Sequence, residues 1–365
     1  MLTLLTLSLL PADLSEQAIA DAIETVQSIE TQAGNQAAVR DATAALAGGG
    51  PDVLVPIVRG MANEPLADNW LRGAFEMAAA AAIAEGSLPT AELRQAFEDT
   101  DLDPRARRMV YELLREQDAA AGLEPRLDDP SAEMRRDAVA AILEAAEDAG
   151  GDEALTLYRQ ALQGATDPSQ VDAISEKLAE AGEPVDLLRH YGYLTEWKLV
   201  GPFENKDEAS FDVAFEPETA PQFEAEYETE FEGQPLVHRW QTATIEDESG
   251  TVDLHQLMAN HKGSLVYAAA AFESAEAQPI ELRLSTANAW KLWLNGELLF
   301  ARPEYHRGKK FDQYVVRSQA RAGRNVVLIK LLQNEQEQSW AQDYDVSVRV
   351  TEPTGLAAQV QPQQP

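Results

Sequence analysis

Apolar residues in the first half of the chain recur at helical spacing. Between Leu14 and Ile29 the side chains of Ile19, Ile23 and Val26 fall on one face of a helix, and Ser15 is placed to cap its start. Alanine is abundant up to about residue 190, whereas only five aromatic residues precede that point and twenty follow it. This composition predicts a helical first half and a β-rich second half.

Four helical stretches begin in the same way, with an acidic residue followed by proline. Proline fits the first turn of a helix, where its missing N–H costs nothing, and an acidic residue there interacts favourably with the helix dipole. The pairs are Glu64-Pro65, Asp103-Pro104, Asp129-Pro130 and Asp167-Pro168. The spacings between these prolines are 39, 26 and 38 residues. A period near 40 residues is typical of solenoids built from helix pairs.

Two of these stretches share a longer pattern. Asp103–Leu114 reads DPRARRMVYELL, and Asp128–Gly150 reads DDPSAEMRRDAVAAILEAAEDAG. Both resemble HEAT repeats, and the resemblance extends over about residues 65–182. It implies an α-solenoid that offers a curved surface to a protein partner. The interval of 26 residues departs from the period, so an irregular helical bundle is the alternative.

Beyond residue 196 the apolar pattern changes to a period of two, which predicts strands. The stretches that show it are Trp197–Phe203, Ser264–Phe272, Pro279–Ser285, Ala289–Phe300, Tyr314–Val316, Asn325–Leu332 and Tyr344–Val350. Within Ala289–Phe300 the pair Asn295-Gly296 indicates a type I′ hairpin turn. Many short strands with frequent turns predict an antiparallel β-sandwich of jelly-roll type.

Two tryptophans of one predicted strand fall on opposite faces of it. Trp290 shares a strand face with Leu292 and Leu294 and is expected in the core, whereas Trp293 points to the opposite face. Burial is expected for both rings, with Trp293 the better candidate for a covered or exposed one. The segment Phe211–Glu232 interleaves aromatic residues with glutamates, so we expect it to cover the sandwich with its rings.

Three strings in the second half carry a family resemblance: WKLWLNGELLF, AGRNVVLIKLLQNE and YDVSVRV. They are similar to the galactose-binding-like jelly roll that many carbohydrate-binding modules share. The longer series WKLVGPFEN, WKLWLNGELLF, YHRGKKFDQY and NEQEQSWAQDY resembles exported planctomycete-type proteins that pair HEAT-like helical repeats with this β-sandwich. The resemblance covers about residues 190–350. It implies the fold and a glycan-binding role for the β-sandwich, and leaves the ligand open.

Two loops between predicted strands hold the candidate ligand-binding residues. They combine aromatic rings, which suit the apolar face of a sugar, with amide, carboxylate and guanidinium groups, which suit its hydroxyls. The candidates are Tyr305, His306, Arg307, Asp312, Asn334, Glu335, Gln336 and Trp340. An antiparallel strand order would bring the two loops to one end of the sandwich. The alternatives are a purely structural polar network, or a basic loop that docks on an acidic surface.

The composition limits the classes of partner, metal site and activity that we expect for this protein. With 29 basic and 62 acidic residues the formal net charge is −33, which disfavours nucleic acid and anionic membranes. The chain has no cysteine, which excludes disulfides, thiolate metal sites and thiol nucleophiles. The five histidines form no metal-binding pair, so a Ca²⁺ site is the remaining metal candidate. No nucleophile elbow, P-loop or dinucleotide motif is present, so we expect no enzyme activity.

The N-terminal sequence MLTLLTLSLL, followed by Pro11 and Ala12, is too short to span a membrane and suits a secretory signal. A hydrophobic first helix is the alternative. We therefore expect an exported protein with a signal peptide at 1–12, HEAT-like repeats at 13–184, a galactose-binding-like β-sandwich at 185–352 and a disordered tail at 353–365. The expected function is non-enzymatic recognition of glycan and protein. A purely protein-binding scaffold and a cryptic glycosidase or hydrolase accessory protein are the alternatives.

Overall fold

The computed structural model describes residues 14–29, 34–62, 64–219, 221–258 and 261–365. The expected signal peptide, residues 1–12, lies outside the described residues. The chain divides into two compact units, Met1–Ala138 and Val139–Pro365. Within the described residues, no helix is both long enough and apolar enough to cross a membrane.

Helices form the chain from residue 16 to residue 191, as the apolar spacing predicts. Their bounds are α1 Glu16–Gln27, α2 Gln36–Ala47, α3 Leu54–Gly60, α4 Pro65–Glu85, α5 Thr90–Glu98, α6 Pro104–Glu116, α7 Ala132–Asp148, α8 Gly151–Leu162, α9 Pro168–Glu180 and α10 Leu187–Tyr191. The predicted cap of the first helix is confirmed, because the hydroxyl of Ser15 accepts a hydrogen bond from the N–H of Ala18 at 3.2 Å. Ile19, Ile23 and Val26 are buried.

Three of the four acid-proline pairs start a helix as predicted, at Pro65, Pro104 and Pro168. The fourth prediction is wrong, because α7 begins only at Ala132. Its acidic residue, Asp129, is buried and accepts two hydrogen bonds from Arg107, at 3.0 and 2.6 Å. An aspartate held in this way serves a buried ion pair rather than a helix cap.

Antiparallel sheets form the chain beyond residue 195. The strands are β1 Glu196–Glu204, β2 Glu226–Phe231, β3 Gln234–Arg239, β4 Gln241–Thr244, β5 Thr251–Asp253, β6 Ser264–Ser274, β7 Gln278–Ser285, β8 Ala289–Leu294, β9 Glu297–Arg302, β10 Tyr314–Ala320, β11 Gly323–Gln333, β12 Asp345–Thr351 and β13 Val360–Gln363. Two one-turn helices, α11 (Glu216–Thr219) and α12 (Leu254–Met258), interrupt them. Every predicted strand is present, and the predicted β8–β9 turn is confirmed, since Asn295 and Gly296 have φ angles of 55° and 85°.

The strands make two stacked sheets and one separate hairpin. The larger sheet runs β4-β1-β6-β11-β8-β9, with β13 also paired to β6, and the smaller sheet runs β10-β7-β12-β5. The hairpin consists of β2 and β3. Trp290 is fully buried in the apolar core that both sheets share, as predicted.

A second apolar cluster lies on the other face of the larger sheet. It includes Trp293, which is 6% exposed, so both tryptophans are buried. The covering segment, residues 211–219 and 221–232, packs the rings of Phe211, Phe215, Phe223 and Tyr227 on this face. The prediction that this stretch covers the sandwich is therefore confirmed.

The tail does not follow its prediction. Residues expected to be disordered include β13, whose Val360 pairs with Ser274 and whose Gln363 pairs with Ala271 of β6. Val360 also packs against the core between the sheets. A Gln- and Pro-rich sequence forms a strand here because β6 is longer than β1 and has a free edge at residues 271–274.

Candidate functional site

Both predicted loops meet at one place in the β unit. The first loop follows β9 and the second follows β11, and they touch through His306. Its Nε2 lies 3.0 Å from Oδ1 of Asn334, and its ring packs edge-on against Trp340 with the centroids 5.0 Å apart. The antiparallel strand order therefore brings these loops together.

Asn334 is the centre of this arrangement and is only 4% exposed. Its Nδ2 donates to Oε1 of Glu208 at 2.9 Å, so its Oδ1 must be the atom that faces His306. This oxygen also accepts from the N–H of Gln336 at 3.2 Å. Because Oδ1 can only accept, the imidazole of His306 carries a proton on Nε2. One buried amide thus fixes both the orientation and the tautomer of the histidine.

A third segment, which the sequence did not indicate, completes the site. Asn205 follows β1, is fully buried and donates from Nδ2 to the hydroxyl of Tyr305 and to the carbonyl of Gln333, both at 3.1 Å. Glu335 accepts a hydrogen bond from the N–H of Asp207 at 2.6 Å. Burial raises the pKa of Tyr305 to about 12, so its hydroxyl stays neutral. The Phe-Glu-Asn sequence at the end of β1 was the available signal, because a polar amide there follows a buried strand.

Backbone strain is concentrated at the same place. Asp207, Glu208 and His306 have φ angles of 55°, 59° and 56°, in the left-handed region that L side chains rarely adopt. Two of these residues, Glu208 and His306, bond to Asn334. Strained non-glycine residues persist where their surroundings hold them, which is common at ligand sites.

The surface of the site is a polar pocket beside an aromatic ring. The pocket has a volume of about 390 Å³ and is lined by Glu208, Asn334, Glu335, Gln336, Glu337 and Gln338. Trp340 is 59% exposed, and its ring packs against His306, which in turn lies within hydrogen-bond distance of Asn334 in the pocket lining. Carboxylate and amide groups beside an exposed indole can bind the hydroxyls and the apolar face of a sugar.

Two of the predicted site residues have other partners. Arg307 donates from Nε to Glu304 at 2.6 Å, and Arg302 donates to the same carboxylate at 2.9 Å. Asp312 accepts from Arg283 and from Arg349, each at 2.6 Å, in a buried network of the smaller sheet. The structure therefore assembles Tyr305, His306, Asn334, Glu335, Gln336 and Trp340, and holds Asp312 in a different cluster.

Metal ligands are sparse in the described part of the chain. Among those residues, no group of three or more His, Cys, Asp or Glu side chains is arranged to hold a metal ion. Comparison of the chain with family models and with curated proteins finds no match.

Proposed function

We propose that this protein is an exported, non-enzymatic binding protein whose β-sandwich recognises glycan through the Asn334 pocket and the Trp340 ring. The observation that carries the proposal is the exposed indole of Trp340 beside a pocket lined only by carboxylate and amide side chains. Large aromatic rings are costly to leave in water, so an exposed one that a buried network holds in place suits a ligand platform.

The wider architecture supports the same proposal. Two antiparallel sheets with crossovers between them fit a galactose-binding-like jelly roll, in which loops at one end carry the ligand. In the helical part, consecutive helices such as α5 and α6, or α8 and α9, pack on each other, as in a HEAT-like solenoid. The solenoid would serve a protein partner, while the sandwich binds glycan.

The test is a glycan-array and insoluble-polysaccharide screen with the full chain, with and without Ca²⁺. We expect saturable binding that Trp340→Ala weakens by about tenfold or more. Val237→Ala, which removes an exposed apolar side chain from β3, is the matched control and should bind normally. Failure of every glycan to bind, or equal binding by Trp340→Ala, would refute the proposal.

A protein-binding scaffold without glycan recognition is the second candidate. It is favoured by a groove of about 800 Å³ in the first unit, whose lining includes the apolar residues Ile19, Ile23, Val55 and Pro56. Crosslinking of a partner through a photoreactive residue at Val55, but not at the exposed Met77 of α4, would support this candidate. Glycan binding at Trp340 would not exclude it, because the two surfaces lie in different units.

A further inference from the structure

A second polar pocket lies in the unit Met1–Ala138, where the first turns of three helices contribute to its lining. It has a volume of about 500 Å³ and is lined by Met61, Pro65, Asp68, Asn69, Arg72, Arg105, Arg108, Met109, Glu112 and Glu133. Pro65 and Asp68 belong to the start of α4, Arg105 and Arg108 to the start of α6, and Glu133 to the start of α7. All of these residues are in the unit Met1–Ala138.

Asp68 is the unusual member of this lining. Its side chain is buried, with 5% of the residue exposed, and its Oδ1 accepts a hydrogen bond from the N–H of Ala62 at 3.3 Å. Its Oδ2 is also buried and has no hydrogen-bond partner among the described residues. Burial raises the pKa of this carboxyl group, helped by the nearby charge of Asp103, and the backbone N–H groups of Ala62 and Glu64 offset only part of this effect. Buried acceptors are nearly always paired in native proteins, so an oxygen without a partner among the described residues, in a pocket wall, is a candidate acceptor for a donor on a ligand.

Arg105 provides the opposite unpaired charge. Arg72 is paired with Glu76 at 2.7 Å, and Arg108 is paired with Glu112 at 2.8 Å and also with Asp137. The exposed guanidinium of Arg105 has no ion pair or hydrogen bond within the described part of the chain. It lies close enough to Asp68 to act on that carboxylate electrostatically.

The charges at this corner are already mixed. Asp103 caps α6, because its carboxylate accepts from the N–H groups of Arg105 and Ala106 at 2.8 and 3.2 Å, so the guanidinium of Arg105 is the group left for an anion. A simple anion at Arg105 would leave Asp68 without a donor and would be repelled by it. A simple cation at Asp68 would be repelled by Arg105 and would leave that guanidinium without an acceptor. A molecule that carries both charges satisfies both groups.

We propose that this pocket binds an amino-carboxylate, namely a free α-amino acid or a short peptide with free ends, whose ammonium group donates to Asp68 Oδ2 and whose carboxylate accepts from Arg105. The two unpaired groups face one cavity from the first turns of two different helices. The volume leaves room for a side chain as well as for the charged ends. This pocket lies in the unit Met1–Ala138, whereas the proposed glycan site lies in Val139–Pro365, so each site can be tested without the other.

Isothermal titration of the full chain with the common α-amino acids, and with dipeptides of glycine and alanine, tests the proposal. We expect saturable binding of at least one zwitterion at or below about 10 mM. The N-acetyl derivative and the carboxamide of the best ligand should each bind at least about tenfold more weakly, because each removes one of the two charges. Comparison of amino acids with dipeptides identifies which of the two sources the pocket accepts.

Variants locate the site. Asp68→Asn and Arg105→Gln should each weaken binding by about tenfold or more. Asp41→Asn and Arg40→Gln, in an exposed ion pair of α2, make the same charge changes and should leave binding unchanged. Arg105 is exposed, so its variant tests the site without any change to the buried carboxyl group. Absence of binding by every zwitterion, equal binding of the blocked derivatives, or unchanged binding by Arg105→Gln would each overturn the proposal.

Discussion

Arg349 donates a hydrogen bond from Nη1 to Oδ1 of Asp312 at 2.6 Å, and both side chains are largely buried. The guanidinium also lies 4.5 Å from the ring centroid of Phe311, and its Nε donates to the carbonyl of Tyr191 at 2.8 Å. This pair therefore ties the loop after β9 to β12 and to the end of α10. It explains why Asp312, a candidate for ligand binding in the sequence, has a structural role.

Replacement of Asp312 by asparagine should destabilise the protein. The change leaves Arg349, whose side chain is 3% exposed, buried without its counter-charge. We expect the free energy of unfolding to fall by about 3 kcal/mol, measured by chemical denaturation. Asp343→Asn, at an exposed position two residues before β12, should change it by less than about 0.5 kcal/mol. Equal stability of the two variants would show that the network contributes little.

Lys330 should be a strong determinant of stability. It is fully buried on β11, and its Nζ donates to the carbonyls of Phe211 and Val213 and to Glu218, at 3.1, 2.6 and 3.2 Å. Lys330→Met keeps roughly the length of the side chain but leaves these three acceptors without their donor. We therefore expect the free energy of unfolding, measured by thermal or chemical denaturation, to fall by about 3 kcal/mol. The exposed Lys310→Met is the control. A loss no larger than that of the control would contradict the anchoring role.

Asn334→Ala should loosen the proposed glycan site as well as lower stability. It removes the amide that joins His306 to Glu208, and both would then face each other without a partner between them. We expect a loss of about 2 kcal/mol in the free energy of unfolding. The exposed Gln336→Ala should be nearly neutral. Proton NMR of the His306 ring should also show faster exchange of the Nε2 proton in Asn334→Ala, and unchanged exchange would count against this account of the site.

Asp68→Asn should increase stability at neutral pH. The folded state raises the pKa of Asp68 above its ordinary value of 3.8, so the unfolded chain releases this proton first as the pH rises. The free energy of unfolding of the unmodified protein therefore falls as the pH rises through the window above 3.8, relative to that of the variant. We expect the variant to gain about 1 kcal/mol at about pH 7 and to lose this advantage near about pH 4. Denaturation curves at both pH values check the sign.

Removal of the last strand should lower the melting temperature. Deletion of residues 359–365 removes the pairing of β13 with β6 and uncovers part of the core beside Val360. We expect the free energy of unfolding to fall by about 2 kcal/mol, because the apolar area that becomes exposed is modest. Deletion of residues 364–365 alone spares the strand and should have a much smaller effect. Identical melting of the full chain and the longer deletion would favour a disordered tail.

The sequence predicts most of the regular structure because periodicity reports directly on burial. All seven strand stretches and the Asn295-Gly296 turn were predicted, since alternating apolar residues and paired positive φ angles leave a local signature. Asp129 and β13 were mispredicted for the opposite reason. A buried partner, Arg107, and a free sheet edge at residues 271–274 override what the local sequence favours.

The candidate site was partly predictable. The strand order brings His306 to Asn334, as an antiparallel arrangement requires. The contribution of Asn205 and Glu208 was not predicted, because they precede Asn334 by more than a hundred residues and lie beside a turn with left-handed backbone. Asp312 lies only six residues after His306, yet its carboxylate turns to a different sheet. Neighbourhood in sequence was a poor guide to neighbourhood in space within this loop.

The position of Lys330 has a consequence for the order of events during synthesis. Its partner Phe211 is made 119 residues earlier, so the covering segment lacks this anchor until β11 has been completed. The bonds of Tyr267 on β6 to Glu218 and of Lys291 on β8 to Asp212 can hold it before then. Until then the aromatic rings of this segment, and the sheet face that it protects, lack their final cover. Such an interval of exposed apolar surface favours aggregation of incomplete chains and slow maturation, and a chaperone that binds aromatic-rich segments would act during it.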